Sequence, residues 1–534
     1  MLGLTVDEIE PAALISAILR AEVDLLWFGG IGTYIKAGAQ NHVEVGDPAN
    51  DRLRVDAGEV RAKVIGEGAN LGVTQDGRIE FSDHGGRINT DFIDNSAGVD
   101  CSDNEVNIKI ALNREVLEGR LSFAKRNTLL AEMTDDVAAL VLEDNRLQAL
   151  ALSIAERGGA GSLPSNVRLI EIFENSGRLD RKVEGLASSD VLLRRAQDDR
   201  GLSRPELAVL LSTAKLALQD AIESSALPDD PILREELHAA FPAAMRDRFA
   251  DAIDGHRLRR EIIATKLANR IVNRMGIIHP FELAEEEGCS LAEVAAMFVA
   301  AERLFDMPTV WRRLEDAAID EATRLALFAQ AGNALASQVA DLLRTAPGVQ
   351  QPGDLVARIK PGVDRLMSGL DMLMSDVVRQ QWEAMTVLLA EAGTSHDIIE
   401  PVVRLFKADG AAGLADLSER MGVEEIAATQ AFSHLGAALG LDWAQTMAAR
   451  MSPSDPWDRL LVDGLARDFQ QMRLEFLART SGDQLEAHVD EWLDRNAARV
   501  DQFRQVIDRA RRSPTTTGAM LAQIAAQART LLAR

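Results

Sequence analysis

Two stretches near the start of the chain carry residue types suited to holding a bulky polar ligand: Val64–Thr74 (VIGEGANLGVT) and Asp94–Glu105 (DNSAGVDCSDNE). In open α/β sheets ligands sit beyond the carboxyl ends of the strands, so the sugar hydroxyls and carboxamide of a nicotinamide dinucleotide find their partners there. Asn70 and Asn95 suit that task, each offering an amide donor and an acceptor on a short uncharged side chain. Gly66, Gly68 and Gly98 either let backbone approach a ligand closely or supply positive φ in turns. Taken singly, each asparagine reads as a turn residue; together, after a predicted strand, they point to a site.

Other chemistry-bearing residues read more plainly. Ser102-Asp103-Asn104-Glu105 forms a capping box opening a helix that runs toward Leu117. Cys101, beside Ser102, has no readable histidine partner and reads as a small packing residue. Asp83 and His84 lie in a glycine-flanked turn that faces solvent. Eight histidines are scattered with no i, i+4 pair near a carboxylate, so no metal site is expected.

Composition limits the function classes. A formal net charge of −25 opposes binding to nucleic-acid phosphates and reads as a solvated acidic surface. Only Cys101 and Cys289 occur, too few for a disulfide framework, which suits a reducing compartment, by default the cytoplasm. Asp7, Glu8 and Glu10 stand where a basic leader segment would, and no run of about 18 uncharged apolar residues appears, so neither signal peptide nor membrane span is expected.

The elements that position these residues change texture near residue 115. Thr5-Val6-Asp7-Glu8 is a capping box for a helix to about Ala21. Val23–Phe28 reads as a buried strand, residues 38–58 as a surface loop, Arg61–Ile65 as a strand and Arg78–Phe81 as a third. Beyond 115 almost everything is helical. Ser203-Arg204-Pro205-Glu206 places a cap, a first-turn proline and a capping glutamate. Ile263, Leu267, Ile271 and Met275 make one apolar stripe; Leu461, Leu465, Phe469, Met472 and Phe476 another; Val489, Leu493, Val500, Phe503 and Ile507 a third, all read as helix-bundle core. Breaks at Ala346–Gly353, Asp409–Gly413 and Ser452–Pro456 mark linkers or corners. The fold expected is mainly α: a partial Rossmann-like α/β segment over 1–115, a helical domain over 116–345 and a C-terminal helical region over 346–534.

In order along the chain, Asp24–Lys36 (DLLWFGGIGTYIK), Glu67–Thr74 (EGANLGVT) and Asp94–Glu105 resemble the second half of the coenzyme domain of glutamate dehydrogenases. The surrounding wording resembles the very large bacterial NAD-specific class, and Gly201–Lys215 (GLSRPELAVLLSTAK) and Arg259–Gly276 (RREIIATKLANRIVNRMG) resemble its C-terminal helical region. The resemblance implies an enzyme that oxidises L-glutamate to 2-oxoglutarate and ammonium with NAD, acting as a homo-oligomer when complete. It implies Gly68, Ala69, Asn70 and Asn95 as cofactor-binding residues, with Asn70 beside the nicotinamide ribose and Asn95 at the carboxamide. Ser102 matches the serine that helps hold a substrate carboxylate, a role compatible with capping because helix N-termini favour anions.

Departures from the family pattern matter as much. No glycine-rich pyrophosphate fingerprint, glycine-flanked catalytic lysine or matching acid/base aspartate is readable; Gly30–Ile35 (GIGTYI) lacks the third glycine and stands after a later strand. Lys36, Lys63 and Lys109 lack the glycine context. The catalytic residues are therefore expected upstream of Met1, and the isolated chain is expected to be inactive. The competing expectation is a non-catalytic helical scaffold or interaction protein that keeps a vestigial nucleotide-site edge.

Overall fold

The computed structural model describes residues 8–373, 383, 386, 387, 390, 394–451, 453, 455–480 and 484–533. It is 72% helix and 3% strand, mainly α with a small α/β segment at its start. Two compact units divide the chain: Met1–Ser224 with Leu233–Ile278, and Ser225–Ile232 with His279–Arg534.

The first unit is built on a parallel sheet of β1 (Leu25–Phe28), β4 (Val64–Glu67) and β5 (Arg87–Ile88), in the order β1-β4-β5. Its register pairs Trp27 with Gly66, Phe28 with Glu67 and Ile65 with Ile88. A second parallel pair joins β2 (Ile35–Lys36), just before the segment expected to be a loop, to β3 (Val55–Asp56) inside it. That segment also holds a short helix, His42–Val45, capped by Asn41, and it buries Arg54, Val55 and Ala57. It is no plain surface loop, because its apolar positions join the core of Leu19, Phe28, Ile35, Ile65, Val73, Phe81 and Ile88.

Three local expectations change. Arg78–Phe81 is not a strand but part of the helix Gln75–Asp83, since Thr74 Oγ1 accepts from Gly77 N at 3.1 Å and Asp76 sits in the first turn. The first helix runs Pro11–Leu19, with proline in its first turn; most of the Thr5–Glu8 capping box lies outside the described residues. Strand β1 is not buried on both faces: Leu26 and Phe28 pack inward, while Leu25 and Trp27 are 55% and 58% exposed.

The helical part follows most of its apolar stripes, although Leu461, at the head of the second, is exposed while Leu465, Phe469, Met472 and Phe476 are buried. Ser203 and Glu206 form the expected capping box at the start of Arg204–Glu223, and Glu206 is buried against Arg195 Nη1 at 2.9 Å. Ile263, Leu267, Ile271 and Met275 are all buried on Arg259–Met275, which packs along Arg204–Glu223. In the second unit Leu291–Leu304 packs along Glu321–Thr345, and its buried residues surround the helix, as suits an element enclosed on all sides. Helices change at the segments after Thr345, after Lys407 and after Ala449, in line with the breaks expected from sequence, although Ser452 and Ser454 lie outside the described residues. The last stripe divides between two helices, Leu485–Arg495 and Ala497–Arg511, with Asn496 at the join.

Candidate functional site

Strand β4 ends at Glu67, and the loop that follows carries Gly68, Ala69 and Asn70 before the chain turns into the Gln75–Asp83 helix. What holds this loop is a buried ionic cluster. The Glu67 side chain is 0% exposed and accepts Arg78 Nε at 2.7 Å on one oxygen, Arg78 Nη2 at 3.0 Å and Val73 N at 3.0 Å on the other. Arg78 Nη2 also reaches Asp91 Oδ1 at 3.1 Å, and Asp91 Oδ2 accepts Leu71 N at 2.9 Å. That last bond fixes Leu71 at φ +60, a left-handed conformation that a branched side chain adopts at a cost of about 1–3 kcal/mol. From the other side, Asp94 Oδ2 accepts Glu67 N at 3.0 Å and Asp94 Oδ1 accepts Asn89 Nδ2 at 2.7 Å. Burial raises the Glu67 carboxyl above its usual range, opposed by Arg78, and burial raises Asp94 as well.

The same cluster brings the two asparagines together. Asp91–Asp94 is a single helical turn, and Asn95 joins it to the long helix Ser96–Leu117. Asn95 Nδ2 donates to Asn70 Oδ1 at 2.8 Å across 25 residues of sequence. Among the described residues, Asn70 Nδ2 and Asn95 Oδ1 keep no hydrogen-bond partner, so the pair presents one free donor and one free acceptor. A primary carboxamide needs that complement, and the donor set therefore fits the amide end of a nicotinamide.

Of the two expectations for Gly66, Gly68 and Gly98, positive φ is not met at any of them. Neither Gly66 nor Gly68 has positive φ; a Cβ on either would stand 2.5 Å from the Trp27 ring, so their absent side chains make room for an indole lying on the sheet. Gly98 lies in the first turns of its helix, where a Cβ would meet Asn95 Oδ1 at 3.1 Å.

Ser102 is not a cap. The helix begins at Ser96, so Ser102 is interior, exposed, and donates from Oγ to Gly98 O at 3.1 Å, one turn back. It follows Asn95 by seven residues, about two turns on the same face and ~10 Å along the axis. To donate to a carboxylate it must give up that back-bond. Cys101 is exposed and so is not a packing residue. Asp83 and His84 are exposed as read, with Asp83 paired to Arg200.

The lysines passed over are spoken for. Lys36 is buried against Asp56, Lys63 pairs with Asp24 at 2.7 Å and is raised by it, and Lys109 pairs with Glu105 one turn away. Gly30–Ile35 leads into β2 and opens no helix, so it offers no helix N-terminus to a pyrophosphate. Among the described residues no group of His, Cys, Asp or Glu could hold a metal ion, and no helix is long and apolar enough to cross a membrane.

Sequence reading missed the Glu67–Arg78–Asp91 cluster. The available signal was Glu67 itself, a charge at the end of an apolar strand that must be paired if buried.

The small parallel sheet carries beyond one strand end an asparagine pair whose free donor and acceptor complement an amide, and helices continue the chain from it. Residues 199–530 match the family model for the glutamate dehydrogenase C-terminal region, and residues 1–155 match that for the catalytic domain of bacterial NAD-glutamate dehydrogenases. The chain belongs to the bacterial NAD-specific glutamate dehydrogenase family. It is 37% identical over 523 residues to the NAD-specific glutamate dehydrogenase of Pseudomonas aeruginosa, covering 97% of this chain and 32% of that protein. It is 34% identical over 514 residues to that of Halomonas elongata, covering 95% and 32%, and 35% identical over 534 residues to that of Mycobacterium tuberculosis, covering 98% and 32%. The chain thus spans about a third of the length of these curated relatives.

Proposed function

We propose that this chain supplies the nicotinamide end of an NAD-linked glutamate dehydrogenase active site, within a longer polypeptide of the relatives' kind. The observation that carries this reading is the Asn95–Asn70 hydrogen bond, which leaves one donor and one acceptor together at the strand end. When bound, NAD would take up the hydride that L-glutamate loses on becoming the imine that water hydrolyses to 2-oxoglutarate and ammonium. Asn95 holds the carboxamide, Asn70 and the backbone of Gly68 and Ala69 border the ribose, and Ser102 donates to a substrate carboxylate.

The lysine and the glycine-rich turn that the chemistry calls for come, on this reading, from the part of the polypeptide this chain does not span. Two features support that assignment. Strand β1 has no partner on its outer edge among the described residues, and the face carrying Leu25 and Trp27 is exposed although parallel sheets are normally covered on both faces.

The test is glutamate-dependent NADH formation by this chain alone and by a polypeptide of the relatives' full length that includes it. The expected outcome is turnover only in the longer protein, with calorimetry showing NAD binding by the chain alone weaker than about micromolar. Turnover by the isolated chain would overturn the assignment of the lysine; no turnover by either would favour the scaffold.

A further inference from the structure

The two helical segments that resemble the family, Gly201–Lys215 and Arg259–Gly276, each contain one lysine, Lys215 and Lys266, with no part in the site described above. Both belong to the region matched by the C-terminal family model, whereas Asp100 and Asp144 belong to the region matched by the catalytic-domain model. In the first compact unit these residues stand on four helices that pack together, one on each: Ser96–Leu117, Thr134–Arg157, Arg204–Glu223 and Arg259–Met275. Lys266 Nζ pairs with Asp144 Oδ2 at 2.6 Å, Asp144 and Asp100 interact side chain to side chain, and Lys215 pairs with neither carboxylate but is near enough to feel the charge of both. Asn104 Nδ2 adds a bond to Asp100 Oδ1 at 2.9 Å.

Two carboxylates in contact repel unless cations or a shared proton intervene. Here the paired cation, Lys266, comes from a helix of the same unit that the C-terminal family model matches. Asp100 stands five residues after Asn95 and two before Ser102 on one helix, so whatever fixes Asp100 fixes both. A slip of one residue along that helix would move Ser102 by ~1.5 Å, and misplacements of about 1 Å can cost a hundredfold in rate.

We propose that Lys266 is a positioning residue: paired with Asp144 beside Asp100, it clamps the acidic face of the Ser96–Leu117 helix and so sets where Asn95 and Ser102 stand. The clamp's link to catalysis rests on the function proposed above; the clamp itself does not. The charged groups facing Asp100 are Asp103 on its own helix, Asp144, Lys215 and Lys266. Burial pushes Asp100 up to about 6, against Lys266, and pushes Lys215 down to about 8, against Asp144 and Asp100. Above about pH 6 Asp100 is charged and the clamp is closed.

Hydrogen exchange of the whole chain, read by mass over residues 96–104 from about pH 5 to about pH 9, tests this. Protection should rise as pH passes through about 6. Lys266→Met should lower it at least about tenfold while Gly518–Leu532 keeps its protection, Lys266→Arg should keep it within about threefold, and adding Asp144→Asn to Lys266→Met should restore part of it. Unchanged protection in Lys266→Met, equal loss in the Met and Arg variants, or a flat pH profile would overturn the clamp. In the longer glutamate-oxidising polypeptide, Lys266→Met should raise the glutamate KM at least about fivefold, and Lys266→Arg should restore it. Faster exchange with an unchanged KM would leave the clamp and sever its link to the site. Loss of the glutamate dehydrogenase reading itself would show in the activity comparison, not in exchange.

Discussion

Asn95 donates from Nδ2 to Asn70 Oδ1 at 2.8 Å, and this bond joins two loops that the sheet alone would leave independent. It holds both amides in register before any ligand arrives, so neither must be ordered on binding, which lowers the entropic cost of association.

The bond predicts a coupling. Asn70→Ala and Asn95→Ala should each weaken NAD binding in the longer polypeptide by about 1–2 kcal/mol, and the double variant should lose less than the sum of the two. A double-mutant cycle on the NAD dissociation constant checks it; strict additivity would show the two amides acting separately.

Arg78→Met removes the only cation that touches both Glu67 and Asp91 among the described residues. Leaving a buried carboxylate uncompensated costs about 3–5 kcal/mol, and Glu67→Gln in the same chain should recover part of that. Urea titration monitored by exchange in residues 64–94 reads the loss, which keeps the first unit's transition apart from the second's.

The pH dependence of this cluster has a definite sign. The Glu67 carboxyl is raised above its ordinary value of 4.5 by burial, so the folded unit holds a proton that the unfolded chain has released in the interval between the two values. Stability contributed at Glu67 therefore falls as pH rises through that interval and recovers on acidification. Glu67→Gln should flatten this part of the stability profile; an unchanged slope would assign it to another group.

Gly66→Ala and Gly68→Ala place a methyl 2.5 Å from the Trp27 ring. Each should destabilise the unit by about 1–3 kcal/mol and shift Trp27 emission, and Trp27→Ala should relieve much of the cost. If the alanine variants are as stable as the parent and Trp27 emission is unmoved, the ring does not rest on those glycines.

How far the sequence disclosed this molecule depends on the range of the interactions involved. Local signals held: the Ser203–Glu206 capping box and the Ile263–Met275 stripe rest on contacts within one helix, and both stand as read. Asn70 and Asn95 were legible as a pair because their residue type matches a task, and the structure brings them into contact. Ser102 was misplaced within its helix because Ser102–Glu105 has the letters of a capping box, while the preceding Ser96–Cys101 residues continue the helix toward Asn95 and leave no end there to cap. Arg78–Phe81 was misread because its short apolar alternation looks like a strand; Arg78 points inward only to meet Glu67, a partner eleven residues away that periodicity does not register. The Lys266–Asp144 pair spans 122 residues, and no local pattern announces it.

The most direct test of the central claim is a pair of kinetic measurements on the longer polypeptide carrying Asn95→Ala or Ser102→Ala. Asn95→Ala should raise the NAD KM at least about fivefold with the glutamate KM little changed, and Ser102→Ala should do the reverse. If both substitutions leave both constants where they were, or shift them together, this chain does not supply the nicotinamide end of the site.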